Sequence, residues 1–298
     1  MADITRAEVA SLIAEEYAGS VFQYATAGSA ALEAFPAYSM GTKVNNIPVI
    51  ATLPEAQWVT DVDNTGVKPT SKVTWENRSL VAEEIAVIVP IHENTLDDAT
   101  ENLLEQISRA GGEALGKKLD QAVFFGTDKP ASWTSPALLP AAVAAGQVFQ
   151  VAEGVDDLYG SFLQAAGALA DAGFDPSTAV GKRALMFQLQ NLRGTDGHMV
   201  VQNGALAGFD TTWSRNGAWD PAAAVGLVAD PSRVRIGVRQ DITVKFLDQA
   251  TVNGINLAER DMVALRFKAR FAYVLGTGTT SEGLGMTPVA AVTPAAVV

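Results

Sequence analysis

The sequence predicts an α+β fold, and three features indicate it. Apolar residues recur every three or four positions between residues 95 and 125, which is typical of an amphipathic helix. Two later segments, 233–247 and 261–275, alternate apolar and polar residues as strands do. A β-prone stretch over 44–91 is interrupted by the turn-forming sequence DNTGVKPT. Helices and strands thus occur in separate blocks, as α+β folds require.

The first 35 residues predict an N-terminal arm. Residues 4–33 carry apolar side chains at roughly helical spacing with acids between them, until Gly28 and Pro36 break the pattern. An amphipathic arm of this kind either packs on its own domain or reaches a neighbouring molecule.

Residues 55–80 predict an extended β-hairpin that projects from the body. Trp58 precedes the bend at 63–70 and Trp75 follows it, and the bend combines Asp, Asn, Gly and Pro, which all favour turns. Apolar residues are sparse on both flanks, so this excursion is not expected to fill the core.

Residues 95–125 predict one long helix, whose apolar stripe continues for about 28 residues, or about 42 Å at the α-helical rise. Within it, GGEALGKKLD (111–120) matches the first seven positions of a phosphate-binding loop. The glycines, however, fall in mid-helix, where N–H groups already bond to the preceding turn, and Lys118 replaces the metal-binding hydroxyl. We therefore interpret these glycines as small residues that allow close helix packing.

The second half of the chain predicts an inserted α/β region before the closing strands. A helix is expected over 155–172, a short helix or a strand–helix pair over 178–193, and a polar loop over 194–222. The Gly-, Thr-, Ala- and Pro-rich tail from 276 is expected to be loose.

Composition restricts the function classes. The 298 residues are 48% hydrophobic with a net charge of −12, which suits a globular chain and does not suit general DNA binding. The absence of Cys excludes disulfides, iron–sulfur clusters and a thiol nucleophile. The sequence has no apolar run long enough for a transmembrane helix, so we expect no membrane partner.

No combination of residues predicts a catalytic, metal or cofactor site. His92 and His198 stand far apart in the sequence and outside any zinc motif, although a hydrolase that uses either one stays an open alternative. The run from Asp61 to Gly66 begins like a calcium loop, but Lys72 stands where the bidentate Glu belongs. We therefore expect a non-enzymatic protein.

Basic residues recur at strand spacing in the two closing strands. In one interpretation, they lie on a solvent-exposed sheet face and pair with acidic residues of a neighbouring strand. In the other, they face a polyanion or an acidic patch of another subunit. The two stripes comprise Arg233, Arg235, Arg239, Arg266, Lys268 and Arg270.

The order of these segments resembles the major capsid proteins of tailed bacteriophages, the Hong Kong 97 (Johnson) fold. The similarity is densest over 47–133, in IPV, AQWV, the hairpin and IAVIVPIHENTLDDATENLLEQISRAGGEALGKKLDQAVFFGT. The late segments ADPSRVRIGVRQDITVKF and RDMVALRFKARFAYVL are similar to the family's final strands. An encapsulin-type shell protein, which builds bacterial nanocompartments with the same fold, is the alternative.

The resemblance implies a division of the chain. It assigns 1–35 to an N-terminal arm and 276–298 to a C-terminal tail. A peripheral domain would comprise 36–130 and 240–275, with an extended loop at 55–80 and a spine helix at 95–125, and an axial α/β domain would comprise 145–240. The loop residues Trp58, Lys68, Lys72 and Trp75 would contact a neighbouring subunit.

The resemblance also implies a function, partners and a location. The chain would self-assemble as hexamers and pentamers into an icosahedral head in the virion, after synthesis in the host cytoplasm. Its partners would be other copies of itself, a portal protein and packaged double-stranded DNA, which it would contact without sequence specificity. A separate scaffolding protein is also expected, because no scaffolding segment precedes the arm. The late strand from Asp261 to Lys268 lacks the Asn and Glu that some members use for crosslinking, so no autocatalytic isopeptide bond is expected.

Overall fold

The computed structural model describes most of the chain from the end of the arm to the last strand. Trp58, Lys68 and Lys72 lie outside the described residues, as does the arm up to residue 24. The described residues are 25, 28–52, 70, 74–97, 103–151, 158–193, 198, 206, 208–276 and 286–294.

Six α-helices lie in the described part of the chain. They are α1 (Ala30–Ala34), α2 (Glu93–Asp97), α3 (Leu103–Asp120), α4 (Leu138–Ala144), α5 (Leu158–Asp171) and α6 (Arg183–Asn191). A π-helical turn, Gln121–Phe125, continues α3 and ends at Gly126, whose φ of 74° suits glycine.

The same residues form thirteen strands, several of them very short. They are β1 (Ala37–Ser39), β2 (Val44–Thr52), β3 (Thr74–Val81), β4 (Glu83–His92), β5 (Val148–Gln150), β6 (Thr178–Lys182), β7 (Asp210–Ser214), β8 (Gly226–Ala229), β9 (Val234–Leu247), β10 (Thr251–Val252), β11 (Ile255–Asn256), β12 (Met262–Leu275) and β13 (Val289–Thr293).

A four-stranded sheet in the order β1-β9-β12-β4 packs one face on α3. On that face Phe267 is fully buried and stands opposite Val87 of β4. Gly111 of α3 lies directly over this ring, because a Cβ there would lie 2.8 Å from Phe267 Cδ2. The interpretation of the helix glycines as close-packing residues is confirmed, and the phosphate-loop likeness has no structural counterpart.

The second main sheet has five strands in the order β5-β13-β8-β6-β7. Two expectations for this region were wrong. Residues 210–214 form β7 inside the predicted loop, and residues 289–293 of the supposedly loose tail form β13, between β5 and β8. Val289, Ala290, Ala291 and Val292 are completely buried; small and β-branched side chains fit a strand that is covered on both faces.

The antiparallel pair β2 and β3 leads into the predicted hairpin and runs from Val44 opposite Val81 to Thr52 opposite Thr74. Of the predicted excursion itself, the structure describes residues 70 and 74–80. The rest of the bend and both flanks next to it lie outside the described residues. Of the predicted long helix, residues 95–97 lie in α2, residues 103–120 form α3 and residues 121–125 form the π-helical turn. Residues 98–102 are not described.

The end of the N-terminal arm packs on its own chain. Ala30, Ala31 and Phe35 are buried in the large core beside α3 and its π-helical turn, and the Phe35 and Phe124 rings lie 6.4 Å apart. Of the two predicted possibilities, packing on its own domain therefore holds for the last residues of the arm.

Candidate interaction surface

The face of the four-stranded sheet that points away from α3 carries a cluster of cations. In β12, alternate residues point to this side, so that Arg266, Lys268 and Arg270 are half-buried between fully buried neighbours. Lys245 of β9 stands directly opposite Arg266 and is exposed. We call Lys245, Arg266, Lys268 and Arg270 the basic sheet face.

Glu84 of β4 partly neutralises this cluster. Lys268 Nζ lies 2.7 Å from Glu84 Oε2, and Arg270 Nη2 donates to the same oxygen at 3.3 Å. The hydrogen bond from Lys268 is the main cause that holds the pKa of Glu84 below its ordinary value, with a smaller contribution from Arg270. Glu84 thus forms ion pairs with Lys268 and Arg270, but not with Arg266 or Lys245.

Arg266 forms no ion pair among the described residues. Its cross-strand neighbour on β9 is Lys245, and like charges directly opposite each other destabilise a sheet. Its neighbour on β4 is Ile88, an apolar side chain that is 39% exposed. The buried Nε of Arg266 has no hydrogen-bond partner among the described residues. A cationic, partly apolar surface of this kind suits an acidic partner.

The predicted stripe on the earlier strand is less regular. Arg233 lies in a 3-10 turn before β9 and is therefore not a strand residue. Arg235 lies over the Tyr38 ring at 5.3 Å from its centroid, and Arg239 is half-buried farther along the strand. The structure therefore brings Arg266, Lys268 and Arg270 together on one face, whereas Arg233, Arg235 and Arg239 do not form a single row.

The hairpin leaves the body beside the basic sheet face. A small apolar cluster at its base joins Leu80 of β3 and Ala82 to Ala272 and Val274 of β12. Farther out, Trp75 is 63% exposed, a large value for the largest apolar side chain. The packed base of the hairpin thus fixes the strand that carries Trp75, and the exposed Trp75 side chain can contact another molecule.

A buried carboxylate joins three segments near the arm. Asp120, at the end of α3, accepts hydrogen bonds from Ser29 Oγ at 2.7 Å and from the backbone N–H groups of Ala30 and Ala31, both at 3.0 Å. Asn216 Nδ2, from the segment after β7, donates to Asp120 at 2.7 Å and to the Gly28 carbonyl at 2.6 Å. Burial raises the pKa of Asp120, and these donors oppose the shift.

Sequence reasoning missed three interaction residues: Asp120, Glu84 and Lys245. Lys245 was recognisable in principle, because it alternates with Val244 and Phe246 in the same way as the cations of β12. Asp120 and Glu84 act through partners about 90 and 180 residues away, which local spacing does not reveal.

Both histidines, which the sequence left open for a hydrolase, lie at the surface. His92 ends β4 and is exposed, and His198 is also exposed. Among the described residues, no three His, Asp or Glu side chains form a group that could hold a metal ion. In the same part of the chain, no helix is both long and apolar enough to cross a membrane.

The comparisons with known proteins agree with one another. The model of the phage capsid family matches residues 11–276. A solved structure from Mycobacterium phage Cain is 55% identical over 100% of both chains with a TM-score of 0.83, and one from Mycobacterium phage Bobi is 56% identical over 99% of both with a TM-score of 0.83.

More distant structures share the architecture. A structure from Microbacterium phage Oxtober96 is 43% identical over 90% of this chain and 91% of its own, with a TM-score of 0.81. One described as the capsid of a native GTA particle is 13% identical with a TM-score of 0.62, a likeness of fold alone. No curated protein matches the chain.

Proposed function

Because the chain belongs to the phage capsid family, we propose that it assembles as hexamers and pentamers into an icosahedral phage head that encloses double-stranded DNA. The observation that carries this proposal is the combination of a family match over 11–276 with 55% identity over the whole length of a mycobacteriophage structure. The family is structural rather than enzymatic, and it places the protein in the virion. The comparisons favour this function over an encapsulin-type compartment shell.

The extended loop at 55–80 would supply one contact between subunits. Two strands alone are marginally stable in water, so a projecting hairpin gains stability when it lies on a neighbour. The exposure of Trp75 and the anchored base of β2 and β3 support this role. Trp58, Lys68 and Lys72 would extend the same contact along the loop.

The basic sheet face would supply a second contact. Its four cations outnumber Glu84, the acid that pairs with two of them. The chain as a whole carries a net charge of −12. A neighbouring copy therefore offers acidic surface readily. The less regular group of Arg233, Arg235 and Arg239 would contribute at its margin.

The two sheets support a division into two domains, with β9 of the four-stranded sheet beginning at Val234, before the boundary at 240. The peripheral domain would comprise 36–130 and 240–275, and the axial domain would comprise 145–240, with loops at the centres of hexamers and pentamers. The strand β13 pairs with β5 and β8, so residues 289–293 of the tail belong with the axial sheet.

The remaining partners follow from the proposed head. A portal protein and a separate scaffolding protein would act during assembly in the host cytoplasm. The acidic balance of the chain would limit adhesion to packaged DNA, because favourable phosphate contacts would hinder its movement.

Electron microscopy of the purified protein under assembly conditions tests the proposed head. We expect closed shells hundreds of ångströms across. A protein that stays monomeric at high concentration, with or without co-expressed assembly partners, would contradict the proposal.

A charge reversal tests the basic sheet face separately. Lys245→Glu is expected to leave the subunit folded, since Lys245 is exposed and stands opposite another cation, but to abolish or strongly reduce shells. Arg193→Glu, an equal charge change at an exposed residue outside this face, is the control and should assemble normally. Normal shells from Lys245→Glu would show that this face is not a subunit contact.

A further inference from the structure

A cavity of about 310 Å³ opens at one edge of the five-stranded sheet. Three cationic side chains line it: Lys182 at the end of β6, Arg183 at the start of α6 and Arg215 just after β7. Ser214 and Trp219 are both buried and line it as well. This cavity is distinct from the basic sheet face and takes no part in the contacts proposed above.

The topology explains why these residues converge. The strands β6 and β7 are parallel, and Lys182 pairs in register with Ser214. Their carboxyl ends therefore meet at the same edge, which is where open α/β sheets bind ligands. Helix α6 begins immediately after β6, and Lys182 at its N-cap makes no side-chain capping bond. The first N–H groups of α6 accordingly add donors at the same edge.

The cavity has an uncompensated positive charge. Among the described residues, no Asp or Glu lines it, and Lys182, Arg183 and Arg215 form no ion pair there. A fourth cation is close, because Lys117 Nζ would lie 3.9 Å from a Cβ on Gly217, another lining residue. Such a concentration of cations contrasts with the overall charge of −12.

The wall beside Arg215 is held in place by internal hydrogen bonds. Ser214 Oγ donates to Asn216 Oδ1 at 3.2 Å, and the same oxygen accepts from the backbone N–H of Ala218 at 3.0 Å. Trp219 Nε1 donates to the Ala224 carbonyl at 2.8 Å. The segment that carries Arg215 is therefore ordered before any ligand binds, which lowers the entropy cost of binding.

We propose that this cavity binds a phosphate group. The cations approach from separate segments of the chain, and the start of α6 adds backbone donors from another direction. A tetrahedral oxyanion presents acceptors in all these directions, whereas the two oxygens of a carboxylate lie in one plane and are satisfied by a single Arg. A phosphate monoester also carries about −1.5 to −2 charges at pH 7, which suits three or four cations.

Titration of the full-length protein with inorganic phosphate at low ionic strength, followed by calorimetry, tests the proposal. We expect saturable binding at one site per chain. Arg215→Gln and Lys182→Gln should each weaken it about tenfold or more, since each removes a charged donor. Lys43→Gln and Arg260→Gln, at exposed cations elsewhere, are the matched controls and should leave the affinity within about twofold.

Ala184→Asp separates loss of binding from loss of folding. Ala184 lines the cavity in the first turn of α6, where an acid stabilises the helix. The variant should therefore melt no lower than the natural chain and yet lose phosphate binding. Ala258→Asp, an equal change at an exposed residue, should retain it.

Two competitors identify the source of the ligand. Displacement of phosphate by a short DNA duplex would assign the site to a polynucleotide backbone, and no displacement would assign it to small phosphorylated molecules; either result requires a phosphate site. The proposal is overturned if inorganic phosphate does not bind, if Ala184→Asp and Arg215→Gln bind it as tightly as the natural chain, or if acetate competes as well as phosphate.

Discussion

The two main sheets of the molecule are covered in different ways. On the five-stranded sheet, Val180 and Leu227 pack into the core beside α4, while Ala179 and Val228 pack into a second cluster with α5 and α6. Among the described residues, the four-stranded sheet packs one face on α3, and its other face carries the base of the hairpin and the basic sheet face. The first sheet is thus completed within one chain, whereas the second leaves a charged face for another molecule. Substitutions in the first should therefore impair folding, and substitutions in the second should mainly impair assembly.

The largest effect on folding is expected from Phe162→Ala. Phe162 is a fully buried ring of α5 beneath the five-stranded sheet. Its loss should lower the free energy of unfolding by about 3–5 kcal/mol, because a cavity replaces the ring. Urea unfolding of unassembled subunits measures this change.

Leu163→Ala is the matched control, since the neighbouring Leu163 is 44% exposed and should cost less than about 1 kcal/mol. Equal destabilisation by both variants would contradict the internal packing of this sheet.

Asp120→Asn should have the next largest effect. The amide replaces one acceptor oxygen by a donor that faces the N–H groups already bonded to Asp120. Unsatisfied buried donors should lower the free energy of unfolding by about 2–4 kcal/mol. Thermal and urea unfolding measure the change, with Asp171→Asn, at an exposed acid, as the control. A neutral result at Asp120 would show that the three segments are not held by this carboxylate.

The smallest effect is expected from titration of Glu84. A carboxyl whose pKa is lowered in the folded state stabilises that state above its unfolded pKa, and the contribution is lost as the pH falls through the folded pKa. The free energy of unfolding should therefore fall more steeply below pH 4.5, the ordinary value for this group, in the natural chain than in Glu84→Gln. Parallel pH profiles of the two proteins would argue against the bonds from Lys268 and Arg270.

Patterns within one segment predicted much of the fold. The alternation from Val263 to Leu275 gave β12, and the three- and four-residue spacing gave α3. The strand β13 was missed because its Val and Ala residues stand between prolines and include no large apolar side chain. The contacts of Asp120 and Glu84, like the cavity beside Lys182, depend on segments far apart in sequence. The spacing of residues within one segment carries no information about contacts between distant segments.

Lysine labelling tests the central claim most directly, that the four-stranded sheet is completed by another subunit. Lys245 and Lys268 should react with an amine reagent in unassembled subunits and become protected in assembled shells, whereas Lys129, whose ammonium donates to the carbonyls of Trp133 and Ser135, should change little. Equal reactivity of Lys245 and Lys268 in the two states would contradict the claim.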